Sequence, residues 1–448
     1  MITRGITNGA VLQRRGNESD FILSADKAPA LVYSGVSEGT AEAAEVGPGR
    51  YRITGIPCGG PYTLRAGEQV FHDVYIGDVW MLAGQSNMQG VGWYAPEDLV
   101  FAGENDVRAL YMDNQWRRAK HPLHREFTAY DKVHTEVLHA LPPSTSFNGV
   151  GPGLAFAQQM KRITGVPQGL ICSAHGGTSL DQWSPAGKAL GPDKSLYAAM
   201  LRRFADNGSH IRGIFWFQGC ADAFENRGFD FRERTEALIL ACRDDMGYEG
   251  EALPFVQVQL GRVVHVKLPG LEENWTQIRE AQRLISYEIP DTVTLSSVTC
   301  ELDDLIHISG RSHRVLGRYA ADVMASLCGY RPCTPPPVLS HCEMLRHPIS
   351  GWATVDVTFD NLIGGLTSEG RPSGFCLAEK GKAPDTDFVY AVSLEGDTAR
   401  LRIHREIPEV AGMALYYGYG LNPYANLTDR AGRAVPCFGP VAVPIKEE

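Results

Sequence analysis

Gly77-Asp78-Val79-Trp80-Met81-Leu82-Ala83-Gly84-Gln85-Ser86-Asn87-Met88 is the stretch on which the reading of this chain turns. Residues 74–83 are apolar and β-prone except for Gly77 and Asp78, the pattern of a strand buried on both faces. Gly84 ends the run, and the polar group Gln85-Ser86-Asn87 follows. A serine just past the C-terminal end of a buried strand is well placed to be a nucleophile. The strand fixes the backbone, the turn lifts the hydroxyl clear, and following N–H groups can face a developing oxyanion. Gly-x-Ser alone also describes ordinary strand-to-loop turns, so the reading needs a base and oxyanion donors from elsewhere.

Downstream, from 74 to about 329, strands and helices alternate. Apolar strands read at 169–173, 211–217, 255–260 and 292–298. Val150, Leu154, Ala157, Met160 and Ile163 share a helical face that ends at Gly165-Val166-Pro167. Ser195 is placed to cap a helix carrying Leu196, Met200 and Phe204. Further helices read at 229–246, 274–287 and 311–328. Repeated strand–helix–strand units predict an α/β fold with a parallel sheet and helices on both faces. Its ligand site lies beyond the C-terminal strand ends. His175-Gly176-Gly177-Thr178, Gln218-Gly219-Cys220-Ala221-Asp222 and Glu301-Leu302-Asp303-Asp304-Leu305-Ile306-His307 each follow such an end. The weakly periodic stretch 90–148 reads as a long insertion loop, a candidate to cover the site or to mediate self-association.

Upstream, residues 1–73 hold short β-prone pieces between Gly, Asn and Pro turns and read as a β-rich N-terminal domain. Arg331-Pro332-Cys333-Thr334-Pro335-Pro336-Pro337 reads as a linker. Period-2 runs from 338 to 448 predict a β-sandwich-like C-terminal domain. The expected division is therefore 1–73, 74–330 and 338–448.

With 44% hydrophobic and 21% charged residues over 448 positions, a sizeable core is expected. A net charge of −10 points away from nucleic acid and anionic membrane surfaces. No apolar run is long enough to span a membrane. The N-terminus lacks an apolar signal core, so a cytoplasmic location is expected, or a periplasmic or secreted one where a signal has been removed. The ten cysteines form no C-x-x-C pair. Cys172, Cys242 and Cys328 read as buried thiols, which suits a reducing compartment.

Asp304 and His307 stand three apart, a spacing that lets the carboxylate accept from His307 Nδ1 and leaves Nε2 for the Ser86 proton. Asp303 competes for that orienting role, and a solvated acidic loop is the plainer alternative. Gly176 and Gly177 let the backbone approach a ligand, and Gln218 has a side-chain amide to offer an oxyanion or a buried neighbour. His121, His124, His134 and His139 lack a recognisable ligand spacing, so no metal is expected. Trp93, Tyr94, Trp116 and Trp183 suit either sugar stacking or packing.

Taken together, these residues resemble the sialate O-acetylesterase family of the SGNH (GDSL-like) hydrolases. The likeness runs through Val11-Leu12-Gln13-Arg14, Gly60 to Leu64, Asp73 to Met88, Gly176-Gly177-Thr178 with Trp183, and Trp216-Phe217-Gln218-Gly219. It continues through Arg279-Glu280-Ala281-Gln282, Asp304-x-x-His307 with Gly317-Arg318, Leu415-Tyr416-Tyr417-Gly418-Tyr419-Gly420 and Val435-Pro436-Cys437-Phe438. The resemblance implies a three-layer α/β/α (flavodoxin-like) core flanked by β-rich domains. It also implies hydrolysis of acetyl esters on sugars and no cofactor. Ser86 would be nucleophile, His307 base and Asp304 its orienter. Gly177 or Gly176, Gln218 and the Ser86 N–H would form the oxyanion hole. Gln85, Asn87, Trp183 and Asp222 would contact substrate. Two departures stand out: Cys220 where the family usually has Glu, and Ile308 where it often has Pro.

The expected partner is an acetylated sugar, either a sialic acid or a xylan- or pectin-type saccharide; the oligomeric state stays open. One rival is a non-catalytic carbohydrate-binding protein on the same scaffold. Another is an α/β-hydrolase esterase, disfavoured because Met88 stands where Gly-x-Ser-x-Gly needs its second glycine.

Overall fold

The computed structural model describes residues 1–99, 104–139, 149–248, 252–379 and 382–446. The chain forms two compact units. The first comprises Met1–Gln218, Arg234–Val256 and His307–Pro332. The second comprises Gly219–Glu233, Gln257–Ile306 and Cys333–Glu448.

The axis of the first unit is one 16-residue strand, Gln69–Gly84, buried throughout from Val74 onward. Its second half lies parallel between Gln168–Cys172 and Gly213–Phe217, so both backbone edges are hydrogen-bonded. That placement explains the unbroken apolar run. Its first half pairs antiparallel with Gly59–Ala66, and Tyr75–Gly77 run parallel to Val11–Gln13. The expected boundary at 73/74 therefore falls inside a single strand. The change of pattern there marks a change of neighbours along the strand. Four further N-terminal strands form an antiparallel sheet in the order Ile2–Arg4, Phe21–Ala25, Arg50–Thr54, Glu42–Gly47.

The stretch 90–148 does more than loop. Val107–Leu110 extends the sheet parallel to Gln168–Cys172, and Trp116–Arg118 closes that edge antiparallel, which makes the sheet mixed. All four residues of Val107–Leu110 are buried, Arg108 included, whose Nε donates to the Gly9 carbonyl at 2.6 Å. One arginine in four residues hid the strand from a periodicity reading. Positions 100–103 and 140–148 of that stretch lie outside the described residues.

The helices fall close to their expected bounds: Pro152–Thr164, Leu196–Asp206 and Gly310–Leu327. Their ends follow local chemistry. Ser195 Oγ accepts the Ala198 N–H at 3.2 Å and Ser309 Oγ accepts the Ser312 N–H at 3.1 Å. Gly165 adopts the left-handed conformation and donates to the Lys161 carbonyl at 2.8 Å.

Asp78 is the buried charge that interrupts the central strand. Arg14 grips it with two parallel bonds of 3.0 and 3.1 Å, and the Tyr330 hydroxyl donates to it at 2.9 Å. Gln13 Oε1 accepts the Val79 N–H at 2.9 Å. Val11-Leu12-Gln13-Arg14 and Gly77-Asp78-Val79-Trp80 are thus two halves of one polar clamp, since a buried carboxylate is tolerated only when paired and hydrogen-bonded.

In the second unit, helix Leu271–Glu288 packs on strand Thr292–Ser296. Further along the chain stands a four-stranded antiparallel sheet, ordered Val338–Arg346, Ala353–Asp360, Thr398–Ile403, Val389–Glu395. A three-stranded sheet of Phe375–Ala378, Ala414–Tyr417 and Phe438–Ala442 shares its core, through Val355, Val357, Phe359 and Leu401 with Leu377, Leu415, Tyr417 and Phe438. Two antiparallel sheets over one core make the sandwich that the period-2 runs predict. No helix among the described residues is long and apolar enough to cross a membrane. All ten cysteines are free thiols. Burial pushes Cys172, Cys242 and Cys328 up to about 12.

Candidate active site

The central strand ends at Gly84, whose φ is +127°. A Cβ there would stand 2.3 Å from the Phe217 carbonyl oxygen, so only glycine lets the two strand ends close up. Gln85 N–H donates to that same carbonyl at 2.8 Å. The chain then turns through the short helix Ser86–Gln89, and Ser86 emerges partly exposed among buried neighbours.

His307 reaches the serine directly: Nε2 lies 3.0 Å from Ser86 Oγ, although 221 positions separate them. The next residue explains the reach. Ile308 N–H donates to Asn87 Oδ1 at 3.1 Å, tying the His307 segment to the turn that carries Ser86. Proline has no N–H to give, so Ile308 in its place supplies this tie. Asn87 is 2% exposed and its Oδ1 is used in the tie, which makes it a positioning residue for the His307 segment. Asn87→Ala should lower kcat about 10- to 100-fold with KM little changed, as expected when a base is displaced by a fraction of an ångström. Steady-state kinetics on a soluble acetyl ester measures it.

Asp304 lies three residues before His307 and is exposed. Its Oδ1 accepts the Ile306 N–H at 2.8 Å, the side-chain-to-backbone bond that shapes an Asx turn.

The turn 175–178 is held from several sides. His175 N–H donates to the Gly84 carbonyl at 3.0 Å, and Thr178 Oγ1 to the His175 carbonyl at 2.7 Å. Gln218 is fully buried, and its Nε2 donates to the Thr178 carbonyl at 3.0 Å, which fixes the turn. Gly176 N–H donates to Glu126 Oε1 at 2.7 Å. That bond occupies Gly176 and leaves Gly177, exposed with φ +68°, as the glycine of the pair placed to present an N–H outward.

Three residues expected to contact substrate are enclosed by the fold. Trp183 is fully buried, with Nε1 donating to Thr178 Oγ1 at 3.0 Å and its ring edge-on to Trp216 at 5.1 Å. It packs the turn and has no face to offer a sugar. Asp222 is also fully buried. Gln85 is 3% exposed, enclosed at the strand end. Cys220 is likewise enclosed, its thiol pushed up to about 12 by burial, so it stays neutral. Among the aromatics, Trp116 is buried with Nε1 on Asn207 Oδ1 at 2.7 Å. Trp93, 70% exposed, and Tyr94 stand at the surface, and the Trp93 carbonyl sits against Gly310, three residues past His307.

Three of the four histidines of the insertion are interior groups, and His139 is exposed. His121, His124 and His134 are buried, and burial lowers all three, His121 to about 4 and His124 to about 3. His124 Nδ1 meets the Gln89 carbonyl at 3.1 Å, and His134 Nδ1 meets His175 Nδ1 at 2.9 Å. Among the described residues no three His, Cys, Asp or Glu side chains gather as a metal would require.

Glu126 carries no sequence signal, sitting alone in a weakly periodic stretch. Burial lifts its carboxyl from 4.5 to about 7 against the lowering effect of the Gly176 N–H. The folded state holds the proton that the unfolded chain releases. The stabilisation is therefore complete below pH 4.5 and is lost as pH rises through about 7. Glu126→Gln, which cannot ionise, should escape that loss, worth about 3 kcal/mol. Denaturant melts of both proteins at pH 4.5 and 8.5 read the difference.

Residues 76–326, more than half the chain, match the model of the family described as carbohydrate esterase, sialic acid-specific acetylesterase. The chain is 27% identical over 201 residues to "Probable carbohydrate esterase" of Arabidopsis thaliana, covering 41% of this chain and 68% of that protein. It is 27% identical over 266 residues to human sialate O-acetylesterase, covering 49% of this chain and 48% of the human protein. The chain thus spans about half the length of that human relative. In fold it resembles the crystal structure of a carbohydrate acetylesterase from Xanthomonas citri, with a TM-score of 0.72, 22% identity, and 98% and 99% of the two chains covered. The chain belongs to the carbohydrate esterase, sialic acid-specific acetylesterase family, a family of carboxylic ester hydrolases.

Proposed function

We propose that this chain is a serine carbohydrate O-acetylesterase working through an acetyl-enzyme. Ser86 Oγ attacks the acetyl carbonyl and His307 Nε2 takes its proton. Asp304 orients His307 from Nδ1, and the Gly177 and Ser86 N–H groups, with the Gln218 amide, receive the oxyanion. The tetrahedral intermediate collapses, the sugar oxygen leaves with the proton from His307, and the acetyl group stays on Ser86. Water, deprotonated by His307, then releases acetate. The observation that carries the reading is the 3.0 Å approach of His307 Nε2 to Ser86 Oγ at the end of the central strand. It favours catalysis over sugar binding alone.

The three-layer α/β/α arrangement of the SGNH hydrolases is the layering we assign to the core, supported by the parallel strands that run toward Ser86. Trp93 is the aromatic we assign to stacking on the sugar, because it is exposed and close in the chain fold to the His307 segment. The family description and the human relative favour acetylated sialic acid, and the "Probable carbohydrate esterase" of Arabidopsis keeps other esterified carbohydrates among the candidates. Acetate release from O-acetylated sialic acid, xylo-oligosaccharide and pectin fragments is the test. Release from at least one, at a rate well above a denatured control, is expected. A folded protein inert on all three, yet binding one of them, would favour the binding-protein alternative.

A further inference from the structure

We infer that Glu126 is a positioning residue for the oxyanion-binding turn, acting on the reaction through Gly176. This inference rests on the proposed acetylesterase reading. The geometry is specific. Glu126 Oε1 accepts the Gly176 N–H at 2.7 Å and lies 3.5 Å from His175 Nδ1. Gly176 is wedged in place: a Cβ on it would meet Gln89 Oε1 at 2.6 Å, and Gln89 ends the short helix that begins with Ser86. The Gly176–Gly177 peptide is thereby set against the nucleophile's own helix on one side and against Glu126 on the other. Gln218 holds the far end of the same turn at Thr178.

A glutamate is a costly means of holding one N–H in a buried place, since a neutral amide would serve. Its titration gives the turn a second property. The group facing it is His175 at 3.5 Å, with His134 stacked behind His175 at 5.1 Å, and His124 and Arg203 act in turn on His134. The three histidines are held neutral by burial, and Arg203 spends its charge on the Leu110, Tyr111 and Met112 carbonyls. None of these groups therefore changes charge with Glu126 near neutrality. Below pH 7 Glu126 holds Gly176 as a neutral acid; above it a negative charge stands beside the turn that receives the oxyanion, opposing the charge that develops there.

The test pairs Glu126→Gln with Glu126→Ala. Glu126→Gln keeps the acceptor and should stay within about threefold of the native kcat at pH 6. It should also lack the native fall in kcat, roughly tenfold, that is centred near pH 7. Glu126→Ala loses the acceptor and should drop kcat about 10²-fold at every pH with KM little changed. A readout that needs no turnover is the amide 15N shift of Gly176 in glycine-labelled protein. It should titrate near pH 7 in native protein and in Ser86→Ala, and not in Glu126→Gln. A Gly176 amide that ignores pH in native protein, or a Glu126→Ala enzyme with native kcat, would overturn the inference. Failure of the acetylesterase reading shows itself separately, as native protein without acetate release whose Gly176 still titrates.

Discussion

Ser86→Ala should lose between about 10⁴- and 10⁶-fold in kcat on any acetyl ester the native protein cleaves, while its melting profile stays native. The size follows from what the hydroxyl does. Without Oγ no acetyl-enzyme forms, and His307 has no proton to take. The residual rate comes from substrate held in the site against whatever oxyanion donors remain. The fold should survive because nothing structural depends on Oγ. The turn is held by backbone bonds, Gln85 N–H to Phe217, Met88 N–H to Gln85 and Gly90 N–H to Ser86, and by the Asn87–Ile308 tie. KM should move little, since a small hydroxyl contributes little to ground-state binding. Progress curves at high enzyme concentration, with circular dichroism on the same sample, measure both halves. A loss below tenfold would place the nucleophile elsewhere.

Arg279→Met should destabilise the second unit by about 4 kcal/mol, the largest structural effect expected from a single side chain here. Arg279 is 1% exposed. Its Nε donates to the Leu260 carbonyl at 3.0 Å, and Nη1 to Gly418 and Gly420 at 2.8 and 2.7 Å; Nη2 donates to Gly261. One guanidinium thus satisfies four carbonyls on two loops, one after strand Phe255–Gln259 and one after strand Ala414–Tyr417. Methionine keeps the apolar stem and removes every donor. Each orphaned carbonyl then costs about 1–3 kcal/mol unless water enters. Arg279→Lys should recover part of the loss, because an ammonium reaches one or two of the four oxygens. Urea titration followed by tryptophan fluorescence reports it through Trp275, whose indole N–H donates to Gly261 at 3.0 Å on the same loop.

The architecture was legible where sequence pattern and environment agree. The run from Val74 to Gly84 reads as a doubly buried strand because its parallel neighbours are themselves buried. Ser195 and Gly165 mark helix ends because capping is a local interaction. Two features escaped. Val107–Leu110 was hidden by Arg108, whose charge is met by a carbonyl 99 residues away. The expected strand at 255–260 stands as Phe255–Gln259, although Gln257 and Gln259 look wrong for a buried strand. In the fold Gln259 bonds the Arg279 carbonyl and both backbone groups of Cys437, and Gln257 bonds the Gln282 carbonyl and Thr294. The domain boundary at 73/74 dissolved because a strand that changes partners midway looks like two elements.

The candidate site was legible in its chemistry and less so in its supports. Ser86 and His307 were singled out because a strand-end serine and an Asp-x-x-His each narrow the choices, and the fold brings the two within 3.0 Å. Asn87, Trp183 and Asp222 were read as substrate contacts because a polar or aromatic residue near a nucleophile says nothing of which way it points. Orientation and burial are properties of the whole fold. Glu126 had no signal at all, since a lone glutamate in an irregular stretch gains meaning only from the N–H it meets.

The measurement that bears most directly on the account is mass-spectrometric mapping of a fluorophosphonate adduct on the native protein. The account predicts one adduct per chain, on Ser86, formed in step with loss of acetate release and much slower in His307→Ala. Stoichiometric labelling at any other residue, or inactivation without modification of Ser86, would contradict it.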